Sequence, residues 1–281
     1  MSAILVSPPE VTPVPLVVTV PHAGQRLTPE MTATLRVPPA HLRQLEDPWV
    51  DRLLAGVPAH GAWLVATRWA RAVADANRAA DEFAFAGTLA GWRASGKARL
   101  GLGVVPTRIA GAPIYAKPLE PAAVEARVAL AHAPYHAALA QLVAETHGRF
   151  GEVFVIDAHS MPDNAQSGAL PMADVVLGDR WGRAAETAWT TAVAEALGAE
   201  GLTTTRNRPY AGGYITRRYG RPEEGVHVVQ VEFRRGLYMD ETRFAPLSTF
   251  DDFRERLCRV IANLAVRLAA RPPTAFALAG E

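Results

Sequence analysis

Four short apolar runs in this chain each lead into polar or ionisable residues, and that repetition restricts the fold more than any other feature. The sharpest is Val153-Phe154-Val155-Ile156-Asp157-Ala158-His159-Ser160. A short continuous apolar run reads as a strand buried on both faces, and residues two apart on a strand share a face. Asp157 and His159 therefore point the same way. Leu16–Val20 runs into Pro21-His22-Ala23-Gly24, Trp63–Thr67 leads towards Asp75-Ala76-Asn77-Arg78, and Val226–Val231 ends in Glu232. Strands of this kind alternating with helical patterns indicate an α/β protein, with a mainly parallel or mixed central sheet and helices on both faces. In such sheets ligands bind outside the carboxyl ends of the strands, where all four clusters fall. The four ends are expected to meet around a metal ion. Asp157 then serves as a ligand or orients the site, and a metal-free acid–base dyad of Asp157 and His159 is the alternative.

At 281 residues, 49% hydrophobic and 20% charged, the chain has a globular composition and is expected to form one domain over 1–281, with a loosely held tail over 271–281. A net charge of +1 gives no general attraction to nucleic acid or membrane, and no basic stripe interleaved with aromatics is visible. The positive charge is nearly all arginine, Lys97 and Lys117 being the only lysines. The single cysteine, Cys258, excludes an internal disulfide and any multi-cysteine zinc site. Residues 1–20 lack a basic start and a long apolar run, so no targeting segment is expected and the default location is the cytoplasm. No oligomeric state follows from the sequence.

Leu42 to Val57 reads as a helix, with Asp47-Pro48 at its start matching an aspartate N-cap and a proline in the first turn. Asp47 is thus either a cap or a ligand. Asp75, Asn77 and Arg78 suit either anion recognition, since a guanidinium grips a carboxylate with two parallel bonds, or a turn bonded to nearby backbone. Residues 85–118 read as a long surface excursion carrying Arg108 and Tyr115. Glu125 to His147 is a helical pattern that Pro134 kinks or divides, with Gly148 as a C-cap. Asp179 to Leu197 reads as an amphipathic helix. The stretch 207–220 is polar and glycine-rich, and its tyrosines and arginines, Tyr214 and Arg217 among them, offer donors to an anion. Apolar residues from Phe250 to Leu268 have helical spacing and cover the sheet.

The sequence also resembles the N-formylglutamate amidohydrolases along nearly its whole length. The resemblance is carried by Val20–Gly24, Asp47 with Arg52-Leu53, Asp75–Arg78, Pro134-Tyr135-His136, Asp157–Ser160, Gly212–Arg217, Gly225-Val226-His227, Glu232 and Tyr238–Glu241. It implies a zinc-carboxypeptidase-like fold shared with the aspartoacylases. It further implies one zinc ion held by His22, an acidic residue and His159, with Asp157 orienting the site. Superfamily relatives often place glutamate three residues after the first histidine. Gln25 stands there, so Asp47 takes the acidic role. Asn77 and Arg78 match a substrate-carboxylate site, with Ala76 in place of the usual leucine, and Glu232 matches the catalytic glutamate. Arg108, Tyr214 and Arg217 are further substrate-binding residues on this reading. The implied activity is deformylation of N-formyl-L-glutamate to formate and L-glutamate, as in histidine degradation, with a small anionic N-acyl amino acid as partner. Two alternatives stand beside it: a related zinc hydrolase for another N-acyl amino acid or peptide, and a metal- or ligand-binding relative without turnover.

Overall fold

The structure is a computed structural model, and residues 3–85, 89–163 and 173–271 are described. Among these, seven strands form one mixed sheet: β1 (Ile4–Ser7), β2 (Leu16–Val20), β3 (Trp63–Thr67), β4 (Val153–Met161), β5 (Val175–Gly178), β6 (Thr204–Arg206) and β7 (Val226–Arg234). Their order across the sheet is β1-β3-β2-β4-β7-β5-β6. The central strands β3, β2, β4 and β7 run parallel, and β1 and β5 pair antiparallel to β3 and β7. Five helices recur below: α1 (Val50–Leu53), α2 (Ala133–Phe150), α3 (Thr187–Ala199), α4 (Tyr214–Tyr219) and α5 (Phe250–Ala269).

The central strands are rich in apolar residues because both faces are covered. One face carries Leu16, Val18, Phe154, Ile156, Val229 and Val231 against α1, α3 and α5. The other carries Val17, Val153, Val155, Val226 and Val228 against α2 and α4. Helix α5 presents Phe253, Leu257, Val260, Ile261, Leu264 and Leu268 as a buried stripe, and no side chain caps its first turn. A helix cap is worth about 1 kcal/mol, whereas each buried large apolar side chain contributes roughly 1.5–3 kcal/mol. The stripe therefore holds this helix in place.

Several boundaries differ from expectation. The helix read over Leu42–Val57 is instead a 3-10 turn (Pro39–Leu45), α1 and a second 3-10 turn (Val57–His60). Trp49, not Asp47, precedes α1, in the left-handed region at φ 71°. The long helical pattern does divide before Pro134, through a π-helical segment (Val128–His132). Its last part runs past Gly148 to Phe150 and is closed by Gly151 at φ 77°. The helix read from Asp179 begins at Thr187, and β5 precedes it. Of the expected tail only Arg271 is described, with its guanidinium on both oxygens of Glu152 at 2.7 and 3.0 Å. The rest lies outside the described residues. No described helix is long and apolar enough to cross a membrane.

Candidate metal centre and active site

The site arises where one face of β4 and β7 changes character. On that face Val153 and Val155 give way to Asp157 and His159, and Val226 and Val228 give way to Gln230 and Glu232. The parallel register sets Asp157 opposite Gln230 and His159 opposite Glu232. On the opposite face Phe154, Ile156 and Ala158 of β4 and Val229, Val231 and Phe233 of β7 stay in the apolar core and fix the register, because a slip of one residue would turn Asp157 and His159 into that core.

His22 enters from the end of β2. Its backbone carbonyl accepts the Asp47 N–H at 3.0 Å, which ties the two segments together. The loop after His22 lies flat against residues 67–69. A Cβ on Gly24 would meet the Trp69 carbonyl oxygen at 2.3 Å, so this position needs a glycine for close approach. Asp47 Oδ2 then lies 3.2 Å from His22 Nδ1 and 2.9 Å from His159 Nδ1, while Ser160 Oγ donates to Asp47 Oδ1 at 3.1 Å. His22, Asp47 and His159 are 2%, 3% and 3% exposed. These partners are far stronger than a helix cap, which is why Asp47 does not cap α1.

Each histidine has a second carboxylate behind it. Asp75 Oδ1 lies 2.7 Å from His22 Nε2, and Asp157 Oδ1 lies 3.1 Å from His159 Nε2. An imidazole that gives Nε2–H to a carboxylate presents a more basic Nδ1 lone pair, the usual support for a metal-binding histidine. Asp157 thus stands where an orienting residue would. Asp75 was legible in the sequence only as an anion-site or turn residue, and its role behind His22 has no local spacing signal. Burial opposes ionisation of Asp75, but Arg71, His22 and Arg78 hold its carboxyl well below the usual range. Burial likewise acts to raise Asp47, and its bonds to His159 and His22 outweigh it. Burial disfavours the His159 cation, yet Asp157, Asp47 and Glu232 push its pKa well above the ordinary value.

Glu232 is buried beside His159, and its Oε1 accepts from Gln230 Nε2 at 2.7 Å. Burial pushes its pKa up to about 7, with His159 opposing and Asp47 adding to the rise. These groups face a cleft of about 310 Å³. Asn77 and Arg78 line it. Asn77 Oδ1 accepts the Ile215 N–H at 2.9 Å, and its Nδ2 lies 3.2 Å from His159 Nε2. Gly213 lets the backbone pass directly over this amide: a Cβ there would meet three Asn77 atoms at 2.3–2.6 Å.

Three expected substrate residues lie elsewhere. Arg108 is exposed, donates to the Gly111 carbonyl at 2.6 Å on a small ribbon, and borders a separate cleft. Tyr214 packs near His132 and His136 and takes a bond from Arg218, and Arg217 stacks over Tyr214 in solvent. In their place the cleft is lined by Arg71, Lys97, Tyr210 and Arg235. Arg235 donates to Ser160 Oγ and the Glu46 carbonyl. Its sequence signal is slight, an arginine three residues beyond Glu232 at the exit of β7. Lys97 stands out in sequence only as one of two lysines.

The donor set fits a divalent ion. His22 Nδ1, Asp47 Oδ2 and His159 Nδ1 converge with their ligand atoms within 4.8 Å of one another, and two histidines with one carboxylate leave a tetrahedral ion an open position, as catalytic zinc requires. Sheet, converging donors and adjacent carboxylate together define the class, an α/β protein with a candidate metallohydrolase centre.

Comparison with known proteins narrows this class. The family model for N-formylglutamate amidohydrolase matches residues 14–239. The chain is 34% identical over 264 residues to the N-formylglutamate deformylase of Pseudomonas aeruginosa PAO1, covering 92% of this chain and 93% of that one. It is 29% identical over 267 residues to the enzyme of the same name from Pseudomonas putida, covering 91% and 92%. The crystal structure of N-formylglutamate amidohydrolase from Ralstonia eutropha JMP134 superposes with a TM-score of 0.91 at 33% identity, covering 96% and 99%. The chain belongs to the N-formylglutamate amidohydrolase family.

Proposed function

We propose that this chain hydrolyses the formyl C–N bond of N-formyl-L-glutamate to formate and L-glutamate, with one zinc ion held by His22, Asp47 and His159. The convergence of those three donors beside Glu232, in a cleft lined by cations, carries the reading. The names of its relatives supply the substrate. On the family resemblance we assign the step to cytoplasmic histidine degradation.

When bound, zinc supplies Lewis-acid polarisation of the formyl oxygen and a lowered pKa for water near it. Asp75 holds a proton on Nε2 of His22 and the Asp157 carboxylate stands 3.1 Å behind Nε2 of His159, so that Nδ1 of both rings, together with Asp47 Oδ2, faces the position the metal would take. Glu232 accepts a proton as the water oxygen attacks the formyl carbon. It returns that proton to the glutamate nitrogen as the C–N bond breaks. A carboxylate with a pKa raised towards neutrality suits both transfers, since it neither holds nor releases the proton too strongly. Arg71, at the cleft wall and tied to Asp75 at 2.8 Å, provides positive charge for the oxyanion. Asn77 and Arg78 hold the α-carboxylate, which is joined to the scissile nitrogen through a single carbon.

Formate release from N-formyl-L-glutamate, measured before chelation, after it and after adding zinc back, tests the reading. Activity is expected to vanish with the metal and return with zinc. Equal rates throughout would remove the metal from the mechanism, and a preference for N-acetyl amino acids would replace the substrate.

A further inference from the structure

The cleft contains four cationic side chains, and they differ in how far their charge is already cancelled. Arg71 is paired with Asp75 at 2.8 Å, and Arg235 lies 3.7 Å from Asp47 and 3.6 Å from Glu241. Arg78 spends Nε on the Leu102 carbonyl and one terminal nitrogen on the Asn77 carbonyl, both neutral acceptors. Neither Arg78 nor Lys97 forms an ion pair among the described residues. Among the described residues the cleft therefore offers two cations without an ion-pair partner, and N-formylglutamate is a dianion at neutral pH.

These two cations are fastened to one another through a single residue. The Leu102 carbonyl accepts from Arg78 Nε at 2.9 Å, and the Leu102 N–H donates to the Lys97 carbonyl at 2.9 Å. The short helix Gly96–Arg99 that carries Lys97 is held in turn by Ser95, which accepts the Ala98 N–H and donates to Glu82. Lys97 is thus presented on an anchored platform, although it belongs to a stretch that reads in sequence as a surface excursion. Arg78 is the inner member of the pair, since it follows Asn77, whose amide touches His159. Lys97 is the outer member, on an exposed helix at the rim. With the α-carboxylate on Arg78 near the metal ligands, the outer part of the cleft, where Lys97 stands, would be left for the substrate's side chain.

We infer that Lys97 is a specificity-determining residue that holds the side-chain carboxylate of the substrate, so that the cleft selects N-formyl amino acids with a second negative charge. This rests on the deformylase reading above. An ammonium on a flexible stem is a compact point charge, suited to a carboxylate at the end of a chain of methylenes. Partial burial and then the neighbouring Arg78 lower the Lys97 pKa, and an incoming carboxylate would relieve that repulsion.

The test compares N-formyl-L-glutamate with N-formyl-L-glutamine, which has the same shape but no side-chain charge, in the unaltered protein, Lys97→Met and Lys97→Arg. Loss of one charge-assisted hydrogen bond predicts that Lys97→Met lowers kcat/KM for the glutamate substrate roughly 10- to 100-fold more than for the glutamine one. The change should lie in KM, and Lys97→Arg should recover most of it. Equal losses on both substrates, or no loss on either, would overturn the role of Lys97 while leaving the deformylase reading intact. Failure of the unaltered protein to release formate from N-formyl-L-glutamate would overturn both.

Discussion

Replacing Asp75 with Asn tests the support behind His22 most directly, because the amide cannot satisfy the donors that the carboxylate now serves. Asp75 Oδ1 faces His22 Nε2 at 2.7 Å and accepts the Asn77 N–H at 2.8 Å, while Oδ2 accepts from Arg71 Nε at 2.8 Å. An amide has one oxygen and one NH2. With its oxygen towards His22 and Asn77, the NH2 confronts the Arg71 N–H. Turned round, it confronts His22 and forces the imidazole proton onto Nδ1, the atom needed for metal. Either way the carboxylate that holds the His22 ring in its metal-binding orientation is gone. Loss of such an outer partner weakens metal binding about 10- to 100-fold, which corresponds to roughly 1.4–2.7 kcal/mol. Losing the charge-assisted bond to Arg71 costs the metal-free fold a further 1.5–3 kcal/mol or about that. Zinc affinity read by competition with a chromogenic chelator, together with urea unfolding of the metal-free protein, separates the two effects. Arg71→Gln is the control, as it breaks the same ion pair but leaves the carboxylate on His22. Zinc affinity in Asp75→Asn within twofold of the parent, with lowered stability, would show that Asp75 serves only the turn and Arg71.

Two further outcomes follow from the same geometry. Glu232→Gln should keep its zinc, since Glu232 is not among the converging donors, yet lose about 10²- to 10⁴-fold in formate release; near-normal turnover with full metal content would remove Glu232 from proton transfer. His136 governs an acid limb of stability. Its Nε2 bonds to the Ala76 carbonyl and its Nδ1 to the Tyr219 hydroxyl, both at 2.9 Å, and burial followed by His132 lowers its pKa to about 3 from 6.5. The unfolded chain therefore takes up this proton first as the pH falls, so its contribution is whole above about 6.5 and is lost on the way down towards 3. Between pH 7 and 5 that amounts to about 2 kcal/mol. His136→Gln should be less stable than the parent at pH 7, with the gap narrowing by that amount at pH 5 in urea unfolding; a constant gap would refute the assignment.

What could be read from sequence follows from where each residue's partners lie. Strands β4 and β7 are legible because burial on both faces makes each rich in apolar residues, and the change to Asp157, His159 and Glu232 marks where the apolar core gives way to a buried polar cleft. The outer pieces, edge strands β1 and β6 and their neighbour β5, span only three or four residues and leave little pattern. Asp47 illustrates a different limit. Asp47-Pro48 is a sound helix-start signal locally, but a cap worth about 1 kcal/mol competes with bonds to His22, His159 and Ser160. Two of those partners lie 112 and 113 residues away, so no window along the chain could weigh them.

The substrate-binding residues divide on the same principle. Asn77 and Arg78 follow β3 within a compact motif and reach the cleft. Arg108, Tyr214 and Arg217 are suggested only by their place in polar loops and by the family resemblance, since arginine and tyrosine in a polar loop offer donors wherever the loop goes. In the structure Arg108 donates to Gly111, the Tyr214 hydroxyl accepts from Arg218, and Arg217 lies in solvent. Lys97 shows the converse. Nothing in its own segment distinguishes it, and its place in the cleft depends on the Leu102 bridge to Arg78 and the Ser95–Glu82 anchor. A strand end places a side chain through the ladder beside it, so its direction is written locally in the alternation of the run. A loop places a side chain through a few long-range bonds, and those become visible only once the chain has closed on itself.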